Sequence, residues 1–201
     1  MLTSITALGE RSRGSRWGTT VTAFALGSVI AGAALGAALG ALGDVVGLGG
    51  VSDAFRLGIL ALALTVGVAI ELGLWGLSLP SSRRQVNEDW LNAFRGWVYG
   101  LGFGAQLGLG VVTVTTSSGV YLTFIASFLV ASPGPAAIIG GLFGLVRAAA
   151  ILPGGRVHEP GQLMALGAAI RRWESPSRRW GIAWQSLLAV VALAATAGAT
   201  G

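Results

Sequence analysis

The sequence predicts an all-α fold: a multi-pass transmembrane helical bundle of five or six spans, with one broken or re-entrant helix and two interfacial helices. Three observations predict it. Only 10% of the 201 residues are charged and 53% are hydrophobic, with a mean hydropathy of +0.74, whereas soluble domains carry roughly 25% charged residues. Several apolar runs approach the ~20 residues that a helix needs to cross a bilayer. Within those runs small residues recur at every fourth position, on one helical face, and close packing of small residues is what joins helices in lipid. Nothing outside the apolar runs exceeds about thirty residues, too little for an independent core. Residues 1–201 therefore read as one integral membrane domain.

Arg11, Arg13 and Arg16 precede the first apolar run. A signal peptide would have a shorter apolar region and a small-residue cleavage site. The run over 19–42 is long enough to span and reads as a retained first helix, with Ser28, Gly32, Gly36 and Gly40 in a row along it. A Gly-rich turn from Gly43 to Asp53 leads to a second span, 55–79, which contains Glu71. Residues 80–95 form a charged connector. There Val86, Trp90, Phe94 and Trp97 share a face, the pattern of a short interfacial helix anchored by tryptophans.

Gly96, Gly100, Gly104 and Gly108 line one face of the next segment, a glycine zipper that leads into Thr113, Thr115, Thr116, Ser117 and Ser118. At 1.5 Å per residue, Gly96 to Val130 is too long for one straight crossing. The segment is either strongly tilted or broken near Thr116–Gly119. The expected spans are 96–117 and 119–152, the second broken near 132–135 by Ser132-Pro133-Gly134-Pro135. Ala136, Gly140, Gly144 and Ala148 make a third small-residue row. Residues 153–179 are the most polar stretch, with Leu163, Leu166, Ile170 and Trp173 on one face, so a second interfacial helix is expected. The last span is 180–197, with Pro176 just ahead of it.

The arginines orient the bundle. Three precede the first span, three lie in 80–95 and five in 153–179, which is eleven of thirteen. The positive-inside rule puts all three segments, and the N-terminus, on the cytoplasmic side of the cell membrane. Five crossings satisfy this; six are possible if 80–97 dips into the membrane. The basic balance thus reports topology and contact with anionic lipid headgroups, not nucleic acid. The small-residue rows imply a tight bundle, a homo-oligomer, a partner membrane protein, or several of these.

Few residues could carry chemistry. Cysteine is absent, removing disulfides and thiolate sites. Every basic residue is Arg, so lysine chemistry is excluded, and the single His158 lies beside Glu159 in a polar loop. No metal-spaced cluster, carboxylate pair or phosphate loop occurs, and neither metal nor cofactor is expected. An intramembrane serine protease would need a His or Lys near Ser117 or Ser118, and there is none. What remains is Glu71, eight residues before the end of its span, and Arg147, five before the end of its own. These place them about 12 Å and about 8 Å from the same surface. Charge at such depth faces a partner or a wet cavity, so a Glu71–Arg147 pair is expected. Gln106 and the hydroxyls from Thr113 to Ser118 either bond to backbone carbonyls or form an unwound stretch lining a cavity.

The stretch GFGAQLGLGVVTVTTSSGVY, residues 102–121, resembles the broken helices of the cytochrome-c-biogenesis CcdA/DsbD-like proteins, within the wider LysE-type transporter superfamily. The first span, GSVIAGAALGAALGALG, resembles its counterpart in an N-terminal half. The family's electron carriers place a cysteine in each broken helix, and this chain has none. The resemblance therefore implies a solute exporter or a non-catalytic membrane subunit. The reading that follows is movement of a small solute or ion across the membrane, past Glu71, Gln106, Thr113, Thr115, Thr116, Ser117 and Arg147. The alternative is a structural or accessory subunit of a larger membrane complex.

Overall fold

The computed structural model describes residues 5–74, 76, 94–110 and 117–199. Among them there are helices and turns but no strand. In chain order the helices are α1 (Ala7–Ser12), α2 (Trp17–Val45), a 3-10 turn at Leu48–Gly50, α3 (Asp53–Glu71), α4 (Gly96–Leu109), α5 (Gly119–Leu129), α6 (Pro133–Ala149), a 3-10 turn at Leu152–Arg156, and α7 (Pro160–Ala199). Four segments are long and apolar enough to cross a membrane: Trp17–Val45, Asp53–Glu71, Pro133–Arg156 and Ser175–Gly198. Their large apolar side chains are mostly outward. Ile30, Leu62, Ile138, Val146 and Val190 are all exposed, an arrangement that lipid, and not water, accommodates.

Local chemistry sets most of the boundaries. Thr6 caps α1 through its Oγ1, which accepts from the Gly9 amide at 3.1 Å, and Ser52 caps α3 in the same way at Phe55. The end of α3 is a Schellman motif. Gly73 has φ +73°, the Leu74 amide donates to Ala69 O, and the Gly73 amide donates to Ile70 O. The second span accordingly stops at Glu71 rather than running to residue 79, and Glu71 is the last helical residue instead of lying two turns inside. The sequence signal was present, since Gly73 is the residue type that tolerates this left-handed position.

Contacts divide the chain into two compact units. The first comprises the described parts of Met1–Gly32, Ser82–Val114 and Gly141–Ser175. Its core is Ile5, Val21, Phe24, Tyr99, Phe103, Ala148 and Ile151. Here α4 packs on α2 at backbone distance. A Cβ added at Gly100 would lie 2.6 Å from Thr20 O, and at Gly104 and Gly108 it would strike the carbonyls of Phe24 and Ser28. Gly144 on α6 meets Ser28 from another side, and Ser28 Oγ donates to Gly144 O at 2.8 Å. Gly96 rests against the hydroxyls of Ser15 and Thr20.

The second unit comprises the described parts of Ala33–Ser81, Thr115–Gly140 and Pro176–Gly201. Ala61, Leu64, Leu122, Ala189 and Ala192 form its core. Gly36, Gly40 and Gly43 of α2 approach the backbone of Ala136, Ser132 and Phe128 respectively, and Gly140 is buried, as is Gly32 in the first unit. The α5–α6 break falls at 130–132, as expected from Pro133, and Ala131 there takes a φ of +50°.

The third region departs from expectation. Residues 160–199 form one continuous helix through Pro176, where a separate interfacial helix and last span were predicted. A proline ring removes one backbone donor and crowds the preceding turn, which bends or weakens a helix without obliging it to end. Good helix formers on both sides, from Leu163 to Arg172 and from Ile182 to Ala195, carry it through. The polar stretch around Arg171 and Arg172 is thus the solvent-facing part of α7. The predicted interfacial helix around Val86 and Trp90 lies outside the described residues.

Candidate functional site at the start of an interrupted helix

The segment from Gly96 to Val130 is two helices, not one tilted span. α4 ends at Leu109 with Gly110 in the left-handed region, φ +67°, and α5 begins at Gly119. Thr113, Thr115 and Thr116 lie outside the described residues. At 1.5 Å per residue, α4 and α5 are about 21 Å and about 16 Å long, so each is a half-helix. α5 exposes at its start the amides that a helix cannot pair internally.

One of those amides, that of Ser118, is met by Glu71. Its Oε1 accepts from the Ser118 amide at 2.7 Å and lies 3.1 Å from Ser118 Oγ. A local capping box would use a Glu three residues into the helix to reach the cap residue's N–H. That place in α5 is Tyr121, and the carboxylate comes from α3 instead. The negative charge sits on the positive end of the α5 peptide dipoles, and the bond to a charged acceptor is of the stronger kind. Gly67, one turn before Glu71, allows the approach: a Cβ there would be 3.1 Å from Leu122 Cδ1 and 3.4 Å from Ser118 Oγ.

Two residues of α7 complete the cluster. Gln185 Oε1 lies 3.0 Å from Ser118 Oγ. Arg178 Nε is 3.8 Å from Glu71 Oε2, and its Nη2 donates to the Glu71 carbonyl, which caps the C-terminus of α3 with a cation. Glu71, Ser118 and Gln185 are 8%, 3% and 8% exposed, while the Arg178 side chain is 62% exposed. The ion pair therefore reaches outward and is screened at its arginine end.

The proton count of this cluster is instructive. Ser118 Oγ stands between two oxygen acceptors but has one hydrogen to donate. Two arrangements satisfy all three groups. With Glu71 ionised, Ser118 donates to it and Gln185 turns its amide NH2 toward the hydroxyl. With Glu71 protonated, Glu71 donates to Ser118 and Ser118 donates to Gln185 Oε1. A single proton on Glu71 thus reverses the direction of the whole chain.

The remaining predicted residues are placed differently. The arginine described beside Glu71 is Arg178. Arg147 lies in the last turn of α6, with its guanidinium 5.3 Å from the centre of the Phe143 ring, where the helix dipole and the aromatic face both favour a cation. Gln106 is partly exposed on α4. Ser117 Oγ accepts from the Gly119 amide at 3.2 Å, a local turn bond. The hydroxyls of Thr65 and Thr123 bond to carbonyls four residues back, the behaviour expected of hydroxyls in apolar helices. Among the described residues no group of acidic, His or Cys side chains is spaced to hold a metal.

A second buried carboxylate escaped the sequence reading. Glu10 of α1 is fully buried and accepts from Arg13 Nη2 at 2.7 Å, Thr20 Oγ1 at 2.5 Å and Tyr99 OH at 2.5 Å. Burial works against the charge on Arg13, but the hydrogen bonds and charges of Glu10 and Tyr99 outweigh it and hold the guanidinium above its ordinary value. The cluster pins α1 to α2 and α4. Glu10 is the only acid among the first forty-three residues, and that isolation was the available signal.

These features define an all-α protein with, among the described residues, four apolar helices long enough to cross a membrane and a buried carboxylate at the start of the short helix α5. The chain matches no known family, no curated protein and no solved structure.

Proposed function

We propose that the protein moves a small solute or ion across the membrane, and that Glu71, Ser118 and Gln185 form the coupling site. The observation that carries this reading is the buried carboxylate on the N-terminus of a half-helix. Membrane transport sites are commonly built where discontinuous helices expose backbone groups, and a buried ionisable group in a membrane bundle is a candidate for an ion or proton path. Glu71, Ser118 and Gln185 present oxygen atoms suited to a proton or a small hard cation. Loading Glu71 reverses the hydrogen bonds to Ser118 and Gln185 and removes the charge from the start of α5, which loosens the hold of α3 on that helix. The interruption of Gly96–Val130 also accords with the CcdA/DsbD-like resemblance, which belongs to this proposal.

Purified protein in liposomes, given an imposed proton or sodium gradient and an internal ion-sensitive dye, tests the reading. Flux above that of empty liposomes, abolished by Glu71→Gln and reduced by Ser118→Ala, is expected. Passive vesicles for both ions and for a panel of small solutes, together with co-purification of a stoichiometric larger membrane protein, would replace it with the accessory-subunit reading.

A further inference from the structure

A cavity of about 650 Å³ opens in the first unit, lined by residues 13–16, Thr19 and Thr20 on one side and by Phe94–Trp97 on the other. Three arginines, Arg13, Arg16 and Arg95, contribute to its wall, and among the described residues that line it none is acidic. Glu10, just behind it, takes up the charge of Arg13. Among the described lining residues that leaves Arg16 and Arg95, both exposed, as the charge facing the cavity.

Its architecture is suited to an oxyanion. Arg16 and Arg95 each immediately precede a helix, α2 at Trp17 and α4 at Gly96, so two helix N-termini border the same space with their positive dipole ends. Arg95 gives α4 no side-chain cap. Ser15 and Thr19 add hydroxyls, while the proton of Thr20 is committed to Glu10. Phe94 and Trp97, both about half exposed, supply an apolar wall beside the charged one. The volume falls among ordinary ligand pockets, roughly 300–1,000 Å³.

We infer that this cavity binds a phosphate-bearing anion through Arg16, Arg95 and the starts of α2 and α4. Guanidinium groups bind phosphate in a planar, two-point fashion that a hydrated ammonium does not match. The adjacent aromatic wall suits the glycerol and upper chain of an anionic phospholipid. Inorganic phosphate offers the same oxyanion chemistry without the apolar part.

Native mass spectrometry of the full chain, released from nanodiscs holding equal phosphatidylglycerol and phosphatidylcholine, reads the site directly. Wild-type protein is expected to retain phosphatidylglycerol preferentially, and R16Q/R95Q to lose about thirtyfold of that preference, since each arginine near a membrane surface contributes about 1 kcal/mol. R171Q/R172Q, which removes two exposed arginines of the same unit that do not line the cavity, should leave it unchanged. If R16Q/R95Q does not fold, R95Q alone carries the comparison. Delipidated protein titrated with inorganic phosphate distinguishes the two sources: binding sensitive to Arg16 and Arg95, without lipid preference, assigns the site to free phosphate. Equal effects of the two arginine pairs, or no dependence of either ligand on Arg16 and Arg95, would overturn the inference.

Discussion

The Glu71 carboxylate lies 2.7 Å from the Ser118 amide, 47 residues away in sequence, and closes the start of α5 from another helix. Ser118 makes no cap bond of its own, so α5 depends on α3 for this end. Ser118→Ala keeps the amide bond and loses the hydroxyl, and should cost about 1 kcal/mol. Glu71→Ala strips the acceptor from a buried amide and should cost about 2–3 kcal/mol. Thermal unfolding in a mild detergent measures both. Equal small losses would mean that α5 does not rely on Glu71.

The partner on the other side of Glu71 should matter less. Arg178 is mostly exposed, and its Nε stands 3.8 Å from the carboxylate. A double-mutant cycle between Glu71→Gln and Arg178→Gln is expected to give a coupling below about 1 kcal/mol. The cycle between Glu71→Gln and Ser118→Ala should give a larger one, because both groups are buried. The reverse order would make Arg178 the principal support of the carboxylate.

Glycine positions differ in what an added Cβ would meet. At Gly104 and Gly108 an added Cβ would collide with the α2 backbone, whereas at Gly161 and Gly181 it would meet nothing within 4 Å. Gly104→Ala should therefore destabilise by about 1–3 kcal/mol. Gly181→Ala should be neutral or raise stability by up to about 1 kcal/mol, through helix propensity alone. Unfolding midpoints of the two variants, measured side by side, check the contrast.

Tyr99→Phe removes one of three donors from the fully buried Glu10 and is expected to cost about 1–3 kcal/mol. The charge on Arg13 should give no pH dependence near neutrality. Its value is raised in the folded protein, so the stability it contributes is complete below the ordinary arginine value and is lost only as pH climbs through the raised one. A stability change between mildly acidic and mildly basic solution that Arg13→Gln abolished would contradict this.

Pro176 interrupts the hydrogen bonding of a helix that nevertheless continues. Pro176→Ala should raise the unfolding temperature, since a helix-interior proline costs about 3 kcal/mol relative to alanine. A lower temperature would show that the bend at this position is needed for the packing of α7.

The amino-acid sequence by itself determined the all-α class, its apolar membrane-length helices and the faces along which helices pack. These follow from local properties: apolar run length, a small residue at every fourth position, and breakers such as Pro133. The length of Gly96–Val130 left a tilted helix and a break near Thr116–Gly119 both open, and the structure ends α4 at Leu109. Tertiary structure alone decided which charges meet. A Schellman turn at Gly73 ends α3 at Glu71, where the carboxylate meets Ser118 and Arg178. Gln185, an isolated amide in an apolar run, and Glu10, an acid among arginines, were visible as oddities but could not be assigned partners. The reason is physical. Periodicity states which face of a helix a residue occupies, while a buried charge is satisfied by whichever donors the packing of distant helices delivers within about 3 Å.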